Sequence, residues 1–302
     1  MPIESSLIII TRNRAGLLGE TLESLTGQTR GPAEVIVVDN GPSQETAAVV
    51  ARFGSALPVR YVVEPRSGYG PARNRGLAEA RGEILFFLDD DCVAERGWAE
   101  TLRRALDGGE AEMVGGSRDC GRRGLAARLE YLSTDGPVLH PGLRRGPVRH
   151  LSTANLAMRR AVAERVGRFD ETLVMCEDRD FCARARAAGF RLLYEPAARV
   201  RHQPPVERLS QYLAKMRHYG LGTSQYFLRW REAEPLARLF PRHPALRLLL
   251  LPALAALGTG YLVVKNLPQR PDAVWLSPLI FAGQLWWHWG GFEATRRERR
   301  PC

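Results

Sequence analysis

The chain has 302 residues and a formal net charge of +10, carried almost entirely by arginine because Lys215 and Lys265 are its only lysines. That length accommodates one large α/β domain with an appendage, or two modest domains. The basic residues are scattered, with no aromatic-interleaved platform and no nucleic-acid motif, which argues against nucleic acid and for phosphate-bearing ligands or an anionic membrane surface. Cys92, Cys120, Cys176, Cys182 and Cys302 form no CxxC pair, so the spacing indicates neither a disulfide framework nor a zinc site, and a reducing compartment is expected. The opening Met-Pro-Ile-Glu-Ser-Ser lacks the basic and cleavable regions of a signal peptide, so the α/β part is expected in the cytosol.

Residues 7–10 predict a buried strand ending in Thr11, Arg12, Asn13 and Arg14, and Leu18, Leu22 and Leu25 at helical spacing predict the helix that follows. Residues 34–39 predict a second strand that ends at Asp39 in a turn, followed by a helix over 43–53 and a third strand over 59–63. The glycine-rich stretch 66–76 enters a helix at Pro71, and its backbone N–H groups with Arg66, Arg73 and Arg75 suit a diphosphate. At 84–91 an unbroken apolar run meets Asp89, Asp90 and Asp91. Such a run reads as a strand buried on both faces of a parallel sheet, and ligands bind outside the carboxyl ends of such strands. Three adjacent carboxylates there repel one another unless a cation compensates, and Mg²⁺ is usually held by one or two carboxylates plus substrate phosphates. A solvated acidic turn is the plain alternative.

A helix over 98–106 and a strand over 112–116 are predicted next, after which 117–150 lose periodicity, as a functional loop does. Residues 153–158, containing Asn155, predict a strand, and 160–166 a helix. Glu177, Asp178 and Asp180 open another helix, where the dipole favours acids whether or not they are catalytic. Strands over 191–194 and 197–202 follow, the second with Ala198, Val200 and His202 on one face. Alternating strands and helices predict a right-handed, mostly parallel α/β sheet flanked by helices.

Six motifs stand in order across residues 5–203: Ile-Ile-Thr-Arg-Asn-Arg, Val-Ile-Val-Val-Asp-Asn, Gly-x-Gly-x-Ala-Arg-Asn-x-Gly, Phe-Leu-Asp-Asp-Asp, Ala-Asn-Leu-Ala-Met-Arg-Arg, and Glu-Asp-Arg-Asp-Phe with a later Val-Arg-His. Together they resemble glycosyltransferase family 2, whose members have the Rossmann-like GT-A fold, use a nucleotide-sugar donor and invert the anomeric centre. Carried over, the resemblance places Thr11, Arg12, Asp39, Arg73 and Asn74 around the nucleotide and Asp89 at the ribose or phosphate. It implies Asp91, with Asp89 and His202, as ligands of Mg²⁺ or Mn²⁺, and Asp178 as general base. Glu177 and Asp180 are the neighbouring competitors for the base, Glu177 also being a substrate-binding candidate, and Asn155 is expected to line the sugar or acceptor pocket. The implied reaction moves a sugar, with UDP the expected nucleotide, to a glycan or lipid-linked acceptor in cell-surface polysaccharide or glycolipid synthesis. Processive members carry Gln-x-x-Arg-Trp, whereas Gln225 here is one residue too far from Arg229 and Trp230, which turns it about 100° around a helix and implies a non-processive enzyme. A catalytically silent nucleotide-sugar binder on the same fold is the alternative, and intact Asp89, Asp91 and Asp178 argue against it.

The expected division is a catalytic domain over 1–205, an amphipathic helical extension over 206–235 that breaks near Gly220 and Gly222, and a hydrophobic region over 236–302. Residues 248–264 and 273–289 contain no Asp, Glu, Lys or Arg, and arginines flank the pair on both outer sides. The positive-inside rule makes this a transmembrane or membrane-docking helical hairpin, with the catalytic domain on the cytoplasmic face of the cell membrane.

Overall fold

A computed structural model describes residues 4–134 and 136–298. The chain forms two units: one runs to Gly121 and takes in Leu139–Thr172 and Glu177–Gln203, and the other comprises Arg122–Val138, Leu173–Cys176 and the chain from Pro204. The division therefore differs from a single cut at 205, because two short inner segments join the C-terminal unit. Residues 206–235 and 236–302 also fall in one unit.

Among the described residues the first unit is built on nine strands: β1 (Ser5–Thr11), β2 (Glu34–Asp39), β3 (Val59–Val63), β4 (Ile84–Leu88), β5 (Cys92–Ala94), β6 (Met113–Cys120), β7 (Gly146–Pro147), β8 (Asn155–Arg159) and β9 (Leu192–His202). Their order is β3-β2-β1-β4-β8-β6-β9-β5, with β7 also on β9. Pairing is parallel from β3 to β4, as expected. Beyond β4 the sheet is mixed: β8 runs antiparallel to β4 and β6, β6 runs parallel to β9, and β5 and β7 run antiparallel to β9.

Period-two alternation explains why the central strands read as continuous apolar runs. Leu7, Ile9, Val35, Val37, Ile84, Phe86 and Leu88 fill the core on one face, while Ile8, Ile36, Val38, Leu85 and Phe87 fill the other. Each such side chain stabilises the fold by about 1.5–3 kcal/mol through removal from water. The expected strand at 112–116 is found as Met113–Cys120, and Leu192–His202 forms one strand where two were expected. β9 pairs with β6 in two registers, Met113 to Gly116 opposite Leu192 to Glu195 and Ser117 to Cys120 opposite Arg199 to His202. The skipped residues include Pro196, which has no N–H for the ladder, and its carbonyl accepts a hydrogen bond from Ser117 Oγ at 2.8 Å.

The second unit is helical. Helices Leu125–Ser133, Leu209–Arg229, Leu251–Asn266 and Ser277–Glu298 surround a core of Leu129, Leu132, Tyr212, Met216, Leu262 and Ile280. Part of the stretch that lacked periodicity thus forms a helix of this unit. The helix Leu209–Arg229 does not break at its glycines. A Cβ on Gly220 would lie 1.7 Å from the Trp287 carbonyl oxygen, and one on Gly290 would lie 2.0 Å from that of Arg217, so the glycines permit backbone contact between two helices. The expected membrane spans also change character. Leu251–Asn266 has 16 residues, about 24 Å of helix against a hydrocarbon core of about 30 Å. Ser277–Glu298 buries Gln284, His288 and Thr295. Among the described residues, no helix is long and apolar enough to cross a membrane.

Candidate active site

Chain direction brings the carboxyl ends of β1, β2 and β4 to one edge, so Thr11, Asp39 and the three acids after Leu88 share it. The three acids are not equivalent. Asp90 is buried, accepts a 2.7 Å hydrogen bond from Thr11 Oγ1 and lies 3.2 Å from Arg14 Nη1, while its backbone carbonyl accepts from Thr21 Oγ1 at 2.9 Å. Burial, and then the neighbouring Asp91 charge, push the Asp90 carboxyl up to about 7, against the opposing pull of Arg14 and Thr11. Asp90 and Asp91 are thus the buried members of the trio, and Thr11 holds Asp90 in place.

Asp91 shares Arg14 Nη1 with Asp90 and has a second neighbour in His202. Its Oδ2 lies 3.2 Å from Arg14 Nη1 and its Oδ1 lies 3.4 Å from His202 Nε2. β5 turns back along the end of β9 and sets Cys92 opposite His202, which brings Cys92 Sγ to 3.9 Å from Asp91 Oδ1. The three donor atoms all lie within 4.8 Å of one another, and all three residues are buried. This is the group that could hold a metal ion. Asp89 stands apart from it, partly exposed, 3.4 Å from Arg73 Nη2.

Arg73 joins two parts of the edge. It sits in the first turns of the helix Tyr69–Glu79, buried, with Nη1 paired to Glu177 and Nη2 facing Asp89. The second oxygen of Glu177, Oε2, is buried without a hydrogen-bond partner among the described residues. Asn74 makes a two-way clamp on Phe169, donating to its carbonyl at 2.9 Å and accepting from its N–H at 2.8 Å, and it also donates to Glu171 at 2.9 Å. Gly70 allows this approach, since a Cβ there would lie 2.9 Å from the Asp170 carbonyl oxygen. The structure therefore gives Asn74 an internal role, holding the segment that leads toward Asp178.

Asp39 is buried, accepts from Tyr61 OH at 2.8 Å and from Gly41 N–H at 2.9 Å. Burial and that bond to Asp39 push the Tyr61 hydroxyl up to about 12. Arg12 is exposed and its guanidinium donates to Ser67 Oγ. Asp178 is half-buried and accepts from Arg179 N–H at 2.7 Å, one residue beyond the Glu177 that Arg73 fixes. Asn155 has no free face for a sugar: it accepts from Trp98 Nε1 at 2.8 Å and donates to the Ser117 and Ala198 carbonyls at 2.9 Å each, so it braces the sheet. The residues that sequence reasoning missed are Arg14, Tyr61, Cys92 and the separate role of Asp90. Arg14 and Asp90 stood in quoted motifs without a role of their own, while Tyr61 and Cys92 gave no local signal.

A family model described as glycosyl transferase family 2 matches residues 6–167. The chain is 30% identical over 229 residues to Glycosyltransferase AglE of Haloferax volcanii, covering 74% of each chain. It is 33% identical over 210 residues to Succinoglycan biosynthesis protein ExoM of Rhizobium meliloti, covering 66% of this chain and 67% of that one. Against the Pre-mycofactocin glycosyltransferase of Mycobacterium tuberculosis, 31% identical over 228 residues, it spans just 46% of the relative. In fold it is similar to a mannosyltransferase from Pyrobaculum calidifontis solved with GDP-Man and Mn2+, with a TM-score of 0.62 at 21% identity over 94% of this chain and 86% of that one. It is also similar to S. aureus TarS 1-349 solved with UDP-GlcNAc, with a TM-score of 0.55 at 17% identity over 98% of this chain and 92% of that one.

Proposed function

Because the chain belongs to glycosyltransferase family 2, an inverting family of nucleotide-sugar transferases on the GT-A fold, we propose that it is metal-dependent and moves a sugar from a nucleoside diphosphate donor to an acceptor hydroxyl. The observation that carries this reading is the 3.4 Å approach of Asp91 Oδ1 and His202 Nε2 at the carboxyl edge of the sheet. Two donors about 3.0–3.4 Å apart form one edge of the coordination shell of an ion held at about 2.1 Å. Mg²⁺ or Mn²⁺ bound there supplies charge neutralisation for the departing diphosphate; the relative solved with GDP-Man and Mn2+ supports that choice.

In this reading the chain's own groups do the rest. Thr11, Arg12 and Asp39 line the nucleotide side, with UDP the first nucleotide to test. Arg73 and Asp89 face the ribose and phosphates, and Arg73 also fixes Glu177, whose unpartnered Oε2 suits a sugar hydroxyl. Asp178 accepts the proton of the acceptor hydroxyl as the new bond to the anomeric carbon forms and the bond to the diphosphate breaks. The acceptor is a glycan or lipid-linked sugar in cell-surface synthesis, extended one residue at a time. The second unit docks on the cytoplasmic membrane face, a reading supported by exposed Leu249, Leu257, Val264 and Trp275 beside exposed Arg242 and Lys265.

The test is a donor screen with the purified protein in Mg²⁺ or Mn²⁺, reading nucleoside diphosphate release. Release from one donor, lost in Asp178→Asn and in Asp91→Ala, is the expected result. Metal-dependent donor binding without turnover, acceptors included, would favour the silent binder.

A further inference from the structure

The donor group around His202 contains a thiol for which the proposed mechanism has no use. β5 is three residues long and antiparallel to β9, and directly opposed residues of such a pair place their side chains on one face, here Cys92 and His202. Cys92 is 0% exposed and His202 and Asp91 are each 5% exposed, so the three donors form a buried group instead of a solvated acidic turn. We infer that Cys92 Sγ is a third protein ligand of this site, which makes the site selective for thiophilic divalent ions such as Zn²⁺ and Cd²⁺ over Mg²⁺. The inference rests on the metal reading of Asp91 and His202.

The chemistry of the donor set is the reason. Mg²⁺ demands an octahedron of oxygens, whereas one sulfur, one imidazole nitrogen and one carboxylate oxygen are the mixed set that suits zinc, with a fourth position left open. Bonds of about 2.3 Å to sulfur and about 2.0–2.1 Å to nitrogen and oxygen put tetrahedral neighbours about 3.4–3.6 Å apart. The Asp91 to His202 distance of 3.4 Å fits as it stands and the Cys92 to Asp91 distance of 3.9 Å needs a few tenths of an ångström, while Cys92 and His202, within 4.8 Å of each other, draw together by up to about 1.2 Å on binding. On binding, the metal–sulfur bond replaces the S–H bond and the proton passes to solvent. A diphosphate oxygen would take the open position. CxxC spacing does not reveal this thiol, because its partners come from the next residue and from the end of a distant strand.

The test titrates the metal-free full chain with Cd²⁺ and follows the thiolate-to-cadmium charge-transfer absorbance, with Mn²⁺ binding measured in parallel by electron paramagnetic resonance. Wild type and Cys120→Ser should give the band at one ion per chain. Cys92→Ser should lose it and bind Cd²⁺ about tenfold more weakly or worse, while changing Mn²⁺ affinity less than about threefold. A band that is absent in wild type, or that survives in Cys92→Ser, overturns the inference while leaving the metal reading intact. Mn²⁺ binding unaffected by Asp91→Ala and His202→Ala removes the metal reading itself. Should Cys92→Ser not fold, X-ray absorption of the zinc-loaded wild type decides: a sulfur shell at about 2.3 Å is expected, and a shell of nitrogen and oxygen alone refutes it.

Discussion

In the sheet unit, charged residues from separate strands converge at one edge and are buried against one another, as Asp90 is against Arg14 and Thr11 and Asp91 is against Arg14 and His202. In the helical unit, Arg247 is 2% exposed with Ser224 Oγ and the Phe240 ring as its partners, and large apolar side chains such as Trp275 face solvent. The first arrangement holds charges at the edge where the proposed active site lies. The second leaves apolar surface exposed, the surface on which the proposed membrane docking rests. Buried charge marks the first unit and exposed apolar surface the second, so each can be perturbed by a substitution of its own.

The largest effect is expected in the helical unit from Gly290→Val, which forces a side chain into the Arg217 carbonyl and should destabilise that unit by about 3 kcal/mol or more. Hydrogen exchange should show protection lost in Leu209–Arg229 and Ser277–Glu298 and kept in β1, β2 and β4. Equal loss in both would mean that the units unfold together.

Acid should then separate them. Burial, and next the Arg247 charge, push the His288 imidazole down to about 4 from an ordinary 6.5. Between those values the unfolded chain binds the proton and the folded one does not, so this stability is complete above pH 6.5 and lost as pH falls to about 4. The effect is at most about 3 kcal/mol, and His288→Phe should flatten it in thermal melts across that range.

Asn155→Ala sharpens the contrast within the sheet unit. It leaves the Trp98 N–H and two carbonyls without their partner, which should destabilise by about 2 kcal/mol. Donor preference per folded molecule should stay unchanged; a changed preference would return Asn155 to the sugar pocket. The smallest effect on stability, within about 0.5 kcal/mol, is expected from Leu257→Glu on the exposed apolar face. The same variant should abolish co-sedimentation with anionic vesicles, and retained binding would end the docking proposal.

Much of this was legible in the sequence because it is local. The run from Ile84 to Leu88 announces a strand buried on both faces, and the acids after it must lie at its carboxyl edge. What was not legible depends on distant partners. Asp89, Asp90 and Asp91 are one residue type, and the roles of Arg73, Thr11 and His202 in separating them emerge in three dimensions. β5 is too short for any period to show, so Cys92 gave no signal. Gly220 and Gly222 read locally as a helix break, yet packing against Trp287 and Met175 overrides that propensity. The second half of β6 was hidden because its partner lies beyond the irregularity at Pro196.

That irregularity sets a parity. Leu193 and Val200 lie an odd number of residues apart on β9 yet fill the same core, which an unbroken strand with alternating faces could not achieve. Three residues are skipped against β6, an odd count, so everything after them, His202 included, is delivered to the opposite side from where simple alternation would send it. The presence of His202 at the proposed ion site is thus a matter of counting as well as of chemistry. A lineage that gained or lost one residue in this bulge could keep every motif and the whole fold while turning its imidazole to the wrong side of the sheet.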